Sequence, residues 1–341
     1  MKGYLADQPF IPAHHQPAEL IDLIQDQGID LNRLLRHTGL FHDQILSGEA
    51  RFSPRTWLQL IHNARRLQPD PELSFRYGQR LFPGHYGSVS ALLANAGNLG
   101  EALQVFRDFS RLILPLLGVR LTVTDKHVCL HWLPSTGYRS EHRFVVEAAM
   151  TALASVTRWL SETRLPWAFQ FSYPQPGHPE HYEVYLGGPL HFDAHIDAMI
   201  LPRHYLERPW PQASSTIRLP ALRQCQQQLE GGSGDSLRLC LYRHLQKNLA
   251  DAPSLPRVAD LLRCSPATLK RRLKDEGCHF QQLLDEVRLH QAIHWFQFEG
   301  YSTEQVAKGL NFNDNTNFRR SFKRWAGVTP AMCLKQLVVG D

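Results

Sequence analysis

The feature that most constrains this 341-residue chain is a pair of similar helical patterns in its C-terminal third, at about 255–277 and 302–329. Each pattern predicts a short helix, a tight turn and a second helix that begins at a capping residue. The second helix of each pair has an apolar stripe on one face and polar or basic residues elsewhere. A helix-turn-helix unit buries its inner face against other helices, so this third is predicted to be an all-α domain.

In the first unit, Ser265 is predicted to cap the second helix, and Pro266 follows at the first helical position. Leu269 and Leu273, four residues apart, form the predicted inward face, and Gly277 ends the helix. The outward face and the N-terminal end of this helix carry Ala267, Thr268, Lys270, Arg271 and Lys274. A helix that lies in the major groove of DNA requires this separation of a buried face from a face that reaches phosphates and bases.

In the second unit, Ser302 or Thr303 is predicted to cap the first helix and Asp314 the second. Asn311 lies in the turn, where it tolerates a positive φ better than most residues. The predicted apolar stripe consists of Phe318, Phe322 and Trp325. The positions off the stripe are Asn315, Thr316, Asn317, Arg319, Arg320 and Lys323. Asparagine and arginine pair bidentately with adenine and guanine edges, so this face is predicted to bind DNA.

The segment from Phe280 to Glu299 is predicted to form one helix between the units. Its predicted buried positions are Leu283, Leu284, Val287, Ala292, Ile293 and Phe296. About twenty residues at ~1.5 Å each span ~30 Å, close to the ~34 Å between successive major-groove faces on one side of a duplex. The spacing therefore predicts that one protomer contacts two consecutive major-groove segments.

The basic charge of the chain is confined to this part. Residues 235–341 contain 16 of the 37 Lys and Arg residues but 11 of the 32 Asp and Glu residues, a net charge of +5, whereas the remainder is neutral. Three glycines in the segment 231–235 predict a flexible linker. We therefore expect a regulatory and dimerisation domain at 1–230 and a DNA-binding domain at 236–341.

The N-terminal part is predicted to be an α+β domain with a small antiparallel sheet. Helical periodicity occurs at 19–27, 54–68, 98–117 and 141–162. Strand patterns occur at 119–124, 127–133, 168–173 and 182–186. The first two of these strands flank Asp125 and Lys126, which predicts a hairpin.

The segments 302–307, 310–312 and 317–330 resemble the signature of the AraC/XylS family of bacterial transcription regulators. The resemblance spans Pro253 to Leu337, with Asn311 where the family usually has glycine. It implies a seven-helix domain that usually activates transcription, often by contacting RNA polymerase. The resemblance also implies that seven positions face DNA bases, namely Ala267, Lys270, Arg271, Asn315, Thr316, Arg319 and Arg320.

Residues 20–210 are similar to the long regulatory domain found in one branch of that family. The similarity is carried by the segments 81–88 and 96–103. It implies binding of a small-molecule effector and dimerisation. It leaves the chemistry of the effector open, because members of the branch respond to chemically different compounds.

Two other functions are compatible with the N-terminal residues. In the first, this part is a metal-dependent enzyme that uses the pairs His178/His181 and His191/His195. These pairs have neither the HExxH spacing nor a helical frame, so a structural or surface role is favoured over metal binding. In the second, the N-terminal part dimerises without any ligand.

Sequence motifs give no indication of catalysis, since the chain contains no GxSxG, P-loop or dinucleotide fingerprint. We expect a homodimeric regulator of promoter DNA that is not an enzyme and has no cofactor.

Six scattered cysteines are typical of reduced thiols. No apolar stretch is long enough to span a membrane, and Met1–Pro12 does not resemble a signal peptide, so a cytoplasmic location is expected.

Overall fold

The computed structural model describes residues 3–230 and 234–337. Residues 231–233 of the predicted linker 231–235 lie outside this range. The N-terminal helices are α1 (Gln16–Gln25), α2 (Leu31–Leu34), α3 (His42–Leu46), α4 (Pro54–Leu67), α5 (Leu73–Arg80), α6 (Ser88–Ala94), α7 (Leu99–Asp108), α8 (Ser110–Ile113), α9 (His142–Ser161), α10 (Pro179–Tyr185) and α11 (Ser215–Glu230). Short 3-10 helices occur at Arg203–Tyr205 and Leu249–Asp251.

The C-terminal part is helical, as predicted. Within residues 234–337 it has seven α-helices, the number that the family resemblance implies. They are α12 (Leu237–Lys247), α13 (Leu255–Leu261), α14 (Pro266–Asp275), α15 (Phe280–Phe298), α16 (Thr303–Gly309), α17 (Asn315–Ala326) and α18 (Pro330–Gln336). No helix among the described residues is long and apolar enough to cross a membrane.

The strands form two sheets. They are β1 (Ile11–Pro12), β2 (Arg51–Phe52), β3 (Leu117–Val123), β4 (His127–Pro134), β5 (Ala168–Gln170), β6 (Leu190–His191) and β7 (Asp197–Pro202). A small sheet pairs β1 with β2, and the main sheet has the order β3-β4-β7-β5-β6. All neighbours in the main sheet are antiparallel except β5 and β6, which are parallel. The predicted α+β fold and the β3–β4 hairpin are confirmed.

Both faces of the main sheet are covered. On one face, Trp132 and Met199 belong to the N-terminal core, together with residues of α4, α5, α7 and α9. On the other face, Leu133 and Ile200 belong to a second core that also contains residues of α12, α14, α15 and α17. The C-terminal domain therefore packs directly on the sheet of the N-terminal domain.

Three details of the sequence prediction are wrong. The segment 98–117 is not one helix: it comprises α7, α8 and the start of β3. The predicted strand 182–186 belongs instead to α10, which Pro179 starts and which buries Tyr182 alone. The prediction also omitted β7, which occupies the centre of the sheet and has a nearly continuous run of buried residues.

Candidate nucleic-acid interface

The first helix-turn-helix unit consists of α13 and α14. Ser265 Oγ accepts a hydrogen bond from Thr268 N at 3.1 Å, which confirms the predicted cap of α14. Leu269 and Leu273 are buried, so the predicted inner face is confirmed as well. After α14, Gly277 has φ +74°, a conformation that glycine adopts without strain.

The polar face of α14 is open to solvent. Lys270, Arg271 and Lys274 are exposed, and none of them forms an ion pair within the part of the chain that the structure describes. Ala267 is exposed at the N-terminal end. Thr268 is half-buried, and its hydroxyl lies 2.9 Å from Ser265 Oγ, so this side chain contributes to the cap.

The second unit consists of α16 and α17. Ser302, rather than Thr303, caps α16: its Oγ accepts from Gln305 N at 3.2 Å, and Gln305 Oε1 accepts from Ser302 N at 2.7 Å. Asn311 has φ +62°, which confirms the predicted turn. Asp314 caps α17 by accepting from Asn317 N at 2.7 Å. Of the predicted stripe, Phe318 and Phe322 are buried and Trp325 is half-buried.

The outer face of α17 is also exposed, at Thr316, Asn317, Arg319, Arg320 and Lys323. The amide nitrogen of Asn317 donates to Asp314 Oδ2 at 2.6 Å, so it supports the cap. Asn315 is half-buried, and its Oδ1 has no hydrogen-bond partner among the described residues.

The helix α15 joins the two units, and all six of its predicted buried positions are buried. At ~1.5 Å per residue its 19 residues span ~28 Å. Arg324 of α17 donates to Asp285 of α15 at 3.3 Å. Two basic residues of the recognition helices were absent from the predicted DNA-binding set. They are Arg324 and the exposed Arg272.

Hydrogen bonds join the C-terminal end of α14 to the N-terminal domain. The carbonyl of Asp275 accepts from Arg55 Nη2 at 2.9 Å and from Tyr138 OH at 2.5 Å. The carbonyl of Glu276 accepts from Gly137 N at 2.8 Å, and its buried carboxylate accepts from the backbone N of Ala6 at 2.8 Å. We call these four hydrogen bonds the domain clasp. The sequence contained no indication of it.

A buried guanidinium provides a second connection between the domains. Arg238 of α12 is 1% exposed and donates to the carbonyl of Pro134 at 2.5 Å and to the Glu286 carboxylate at 2.6 Å. Arg139 donates to the same carboxylate at 3.0 Å. Burial acts to raise the pKa of Glu286, but the charges of Arg238 and Arg139 outweigh it and hold that pKa below its usual value. Glu286 is therefore ionised near pH 7.

Of the two histidine pairs, the first lies in a group of possible metal ligands. Contrary to the sequence prediction, this pair does have a helical frame, because His178 is the N-cap residue of α10 and His181 lies within it. The ligand atoms of His178, Glu180 and His181 lie within 4.8 Å of one another. His178 and Glu180 are exposed, and His181 Nδ1 is 2.8 Å from a carboxylate oxygen of Glu72. The second pair, His191 and His195, does not belong to this group.

Two capped helix-turn-helix units on an α+β domain define a DNA-binding transcription regulator. Residues 28–210 match the model of the arabinose-binding domain of AraC transcription regulators, and residues 258–336 match a helix-turn-helix domain. The chain belongs to the AraC family of transcription regulators.

Its relatives include other transcription regulators. The ornithine utilization regulator of Pseudomonas aeruginosa is 28% identical over 92% of this chain and 93% of its own length. The regulator VqsM of the same species is 26% identical over 71% of this chain and 77% of its own length. The urease operon transcriptional activator of Escherichia coli is 39% identical over 22% of this chain and 25% of its own length.

One similar solved structure is the transcriptional regulator CdpR from Pseudomonas aeruginosa. It is 22% identical, covers 94% of this chain and 98% of its own, and has a TM-score of 0.45.

Proposed function

We propose that each protomer inserts α14 and α17 into two successive major-groove segments of promoter DNA. The proposed DNA-contacting residues are Ala267, Thr268, Lys270, Arg271, Lys274, Asn315, Thr316, Asn317, Arg319, Arg320 and Lys323. The observation that carries this proposal is the pair of capped helices with buried inner faces and exposed basic outer faces. The length of α15, ~28 Å, is close to the ~34 Å between successive major-groove faces on one side of a duplex.

The proposal is tested with Arg271→Ala and Arg319→Ala, one substitution in each recognition helix. Selection from a genomic DNA library at ~150 mM salt first provides the operator, because much non-specific phosphate attraction is screened at that ionic strength. Each variant should then lose roughly 1–3 kcal/mol of specific binding, with relaxed specificity at its own operator segment. Fluorescence anisotropy on operators mutated in one segment at a time measures both effects.

Arg158→Ala is the matched control, because Arg158 is exposed on α9 of the N-terminal domain. It should bind the operator as the wild type does. If both recognition-helix variants kept the full discrimination between operator and mutated operator, the assigned docking would be wrong.

The N-terminal domain, residues 1–230, binds a small-molecule effector and forms a homodimer in this proposal. The family model over 28–210 supports an effector-binding role. Activation through contact with RNA polymerase is the proposed outcome. The relative named as a urease operon transcriptional activator supports activation. The protein acts in the cytoplasm, where promoter DNA is available. Sedimentation of the purified chain with and without operator tests the homodimer.

The proposed regulator has no enzymatic activity. The histidine group on α10 provides the test of this point, because a metal-dependent reaction would need these side chains. His178→Ala combined with His181→Ala should leave operator binding and the effector response unchanged. If the wild type catalysed a metal-dependent reaction and the double variant did not, the hypothesis of a metal-dependent enzyme would be favoured instead.

A further inference from the structure

A cavity of about 560 Å³ lies between the two domains. Its N-terminal wall includes Gly137, His195 and Asp197, and its C-terminal wall includes Gly277 and Trp325. Sites for small molecules have volumes of roughly 300–1,000 Å³ and occur preferentially between domains. The cavity therefore has the size and the position of a ligand site.

The charges of the cavity wall balance. Three guanidinium groups and three carboxylates line it: Arg139, Arg238, Arg324, Asp197, Asp285 and Glu286. Burial lowers the pKa of His195, and burial holds the pKa of His131 and His290 well below the usual value, so these three wall residues are neutral near pH 7. The Arg, Asp and Glu charges of the wall therefore cancel, and each carboxylate has a partner in the wall: Glu286 pairs with Arg238 and Arg139, Asp285 with Arg324, and Asp197 lies 2.8 Å from His142 Nε2.

Three buried polar atoms of wall residues have no hydrogen-bond partner within the described part of the chain. They are Trp132 Nε1, His195 Nε2 and Trp325 Nε1. A buried polar atom without a partner costs about 1–3 kcal/mol. The indole N–H is a donor, and the imidazole nitrogen donates or accepts according to its tautomer. A polar ligand that reaches these groups would satisfy them.

We propose that this cavity binds a small zwitterion of the α-amino-acid type and that this ligand is the effector, an inference that rests on the proposed regulatory function. Because the Arg, Asp and Glu charges of the wall cancel, they offer a dianion or a dication no net attraction. An uncharged apolar ligand would remove water from ionised groups without replacing its hydrogen bonds. A ligand with one carboxylate and an adjacent ammonium group complements both signs.

The cavity also touches the elements that orient both recognition helices. Gly277 and Cys278 follow α14 directly, and Trp325 lies in the last turn of α17. Gly137, which donates to the Glu276 carbonyl in the domain clasp, lies on the opposite wall. A ligand here contacts the supports of both DNA-binding helices. If the ligand shifts these supports, it changes DNA affinity, and DNA changes ligand affinity by the same factor.

The first experiment is calorimetric titration of the full-length protein, without DNA, with single compounds. The probes are the twenty standard L-α-amino acids and L-ornithine, and the controls are succinate, 1,4-diaminobutane and L-arabinose. At least one amino acid should bind about tenfold more tightly than every control. Absence of binding by all amino acids, or tighter binding of any control compound, overturns the proposed ligand class.

The second experiment places the bound amino acid. His195→Leu and Trp325→Phe remove two of the three unpartnered groups and should each weaken its binding at least tenfold. His178→Leu and Trp159→Phe are the matched controls, because both residues are exposed and neither lines the cavity. Equal affinities in the test and control variants overturn the location. Thermal unfolding checks each variant, and Trp325→Phe decides the result if His195→Leu does not fold.

Failure of this inference and failure of the proposed function give different results. The titrations contain no DNA, so a negative titration leaves the recognition of the operator by Arg271 and Arg319 intact. Conversely, unchanged operator discrimination in Arg271→Ala and Arg319→Ala would refute the docking while the calorimetric result stands.

Discussion

The first helix-turn-helix unit, α13 and α14, is held differently from the second, α16 and α17. In both units a side-chain cap starts the recognition helix and two buried residues fix its inner face. The first unit is in addition bonded to the N-terminal domain through the domain clasp at Asp275 and Glu276. The described hydrogen bonds of the second unit stay within the C-terminal domain, such as that from Asn311 to the Ala250 carbonyl.

This difference separates two ways of orienting a DNA-binding helix. The orientation of α14 depends on the N-terminal domain, because three residues of that domain bind the last two carbonyls at its end. The orientation of α17 depends on packing against α15, including the Phe296–Phe322 ring contact. A conformational change in the N-terminal domain therefore alters the orientation of α14 directly and the orientation of α17 through α15.

The largest effect on the free energy of unfolding is expected at Gly137, where the domain clasp leaves no space for a side chain. A Cβ on Gly137 would lie 2.4 Å from the Gly277 carbonyl oxygen, a backbone atom that cannot swing away. Gly137→Ala should therefore lower the free energy of unfolding by about 3 kcal/mol, the upper end of typical overpacking costs. Urea denaturation measures this loss. Gly177→Ala is the control, because a Cβ there meets nothing within 4 Å. Similar stability in both variants would mean that the domains are not in close contact at Gly137.

A smaller effect is expected on the pH dependence of the free energy of unfolding. His131 of β4 and His290 of α15 lie with ring centroids 4.5 Å apart across the domain boundary. Burial holds the pKa of both well below 6.5. They stay neutral in the folded chain while the unfolded chain binds protons below pH ~6.5, so acid lowers the free energy of unfolding. Each histidine contributes about 1.4 kcal/mol per pH unit, or about 2 kcal/mol between pH 6.5 and 5.

Urea denaturation at these two pH values, in the wild type and in His290→Gln, isolates one contribution. The variant should lose about 2 kcal/mol less than the wild type over this interval. His204→Gln, at an exposed position, is the control substitution. Asp197 and Glu286, two buried carboxylates with lowered pKa, contribute stability that is lost below about pH 4, outside this interval. An unchanged pH dependence in His290→Gln would contradict the assignment.

The smallest effect compares the two units directly. Ser265→Ala and Asp314→Ala each remove one recognition-helix cap and should each cost about 1 kcal/mol. Because the domain clasp still holds the far end of α14, amide hydrogen exchange should increase less in α14 after Ser265→Ala than in α17 after Asp314→Ala. Equal increases would show that the clasp does not stabilise α14.

The local parts of the fold could be predicted from the sequence, because their signals lie in adjacent residues. The caps Ser265 and Asp314 and the buried stripe of α15 are of this kind. β7 could not be predicted, because Met199 contributes to one core and Ile200 to the other, which removes the alternation of a half-buried strand.

The predicted DNA-contacting residues lie on two exposed helix faces, and their individual roles stay a prediction. The contacts between the domains had no sequence signal. Ala6 and Glu276 are hydrogen-bonded although 270 positions separate them. Such a pair leaves no local periodicity, and the cavity beside it follows from the packing of the two domains. The regulatory part of the site therefore required the structure, whereas the DNA-binding part could be predicted from the sequence.

The main sheet is covered on both faces, which limits how the two domains can be separated or exchanged. Cys129, Leu133, Ala198 and Ile200 are buried beneath the C-terminal helices. Truncation after the N-terminal domain, or exchange of the DNA-binding domain for that of another regulator, would leave these side chains facing water as one apolar patch. Such patches promote association between copies. A chimera would therefore have to carry matching residues for this face of the sheet.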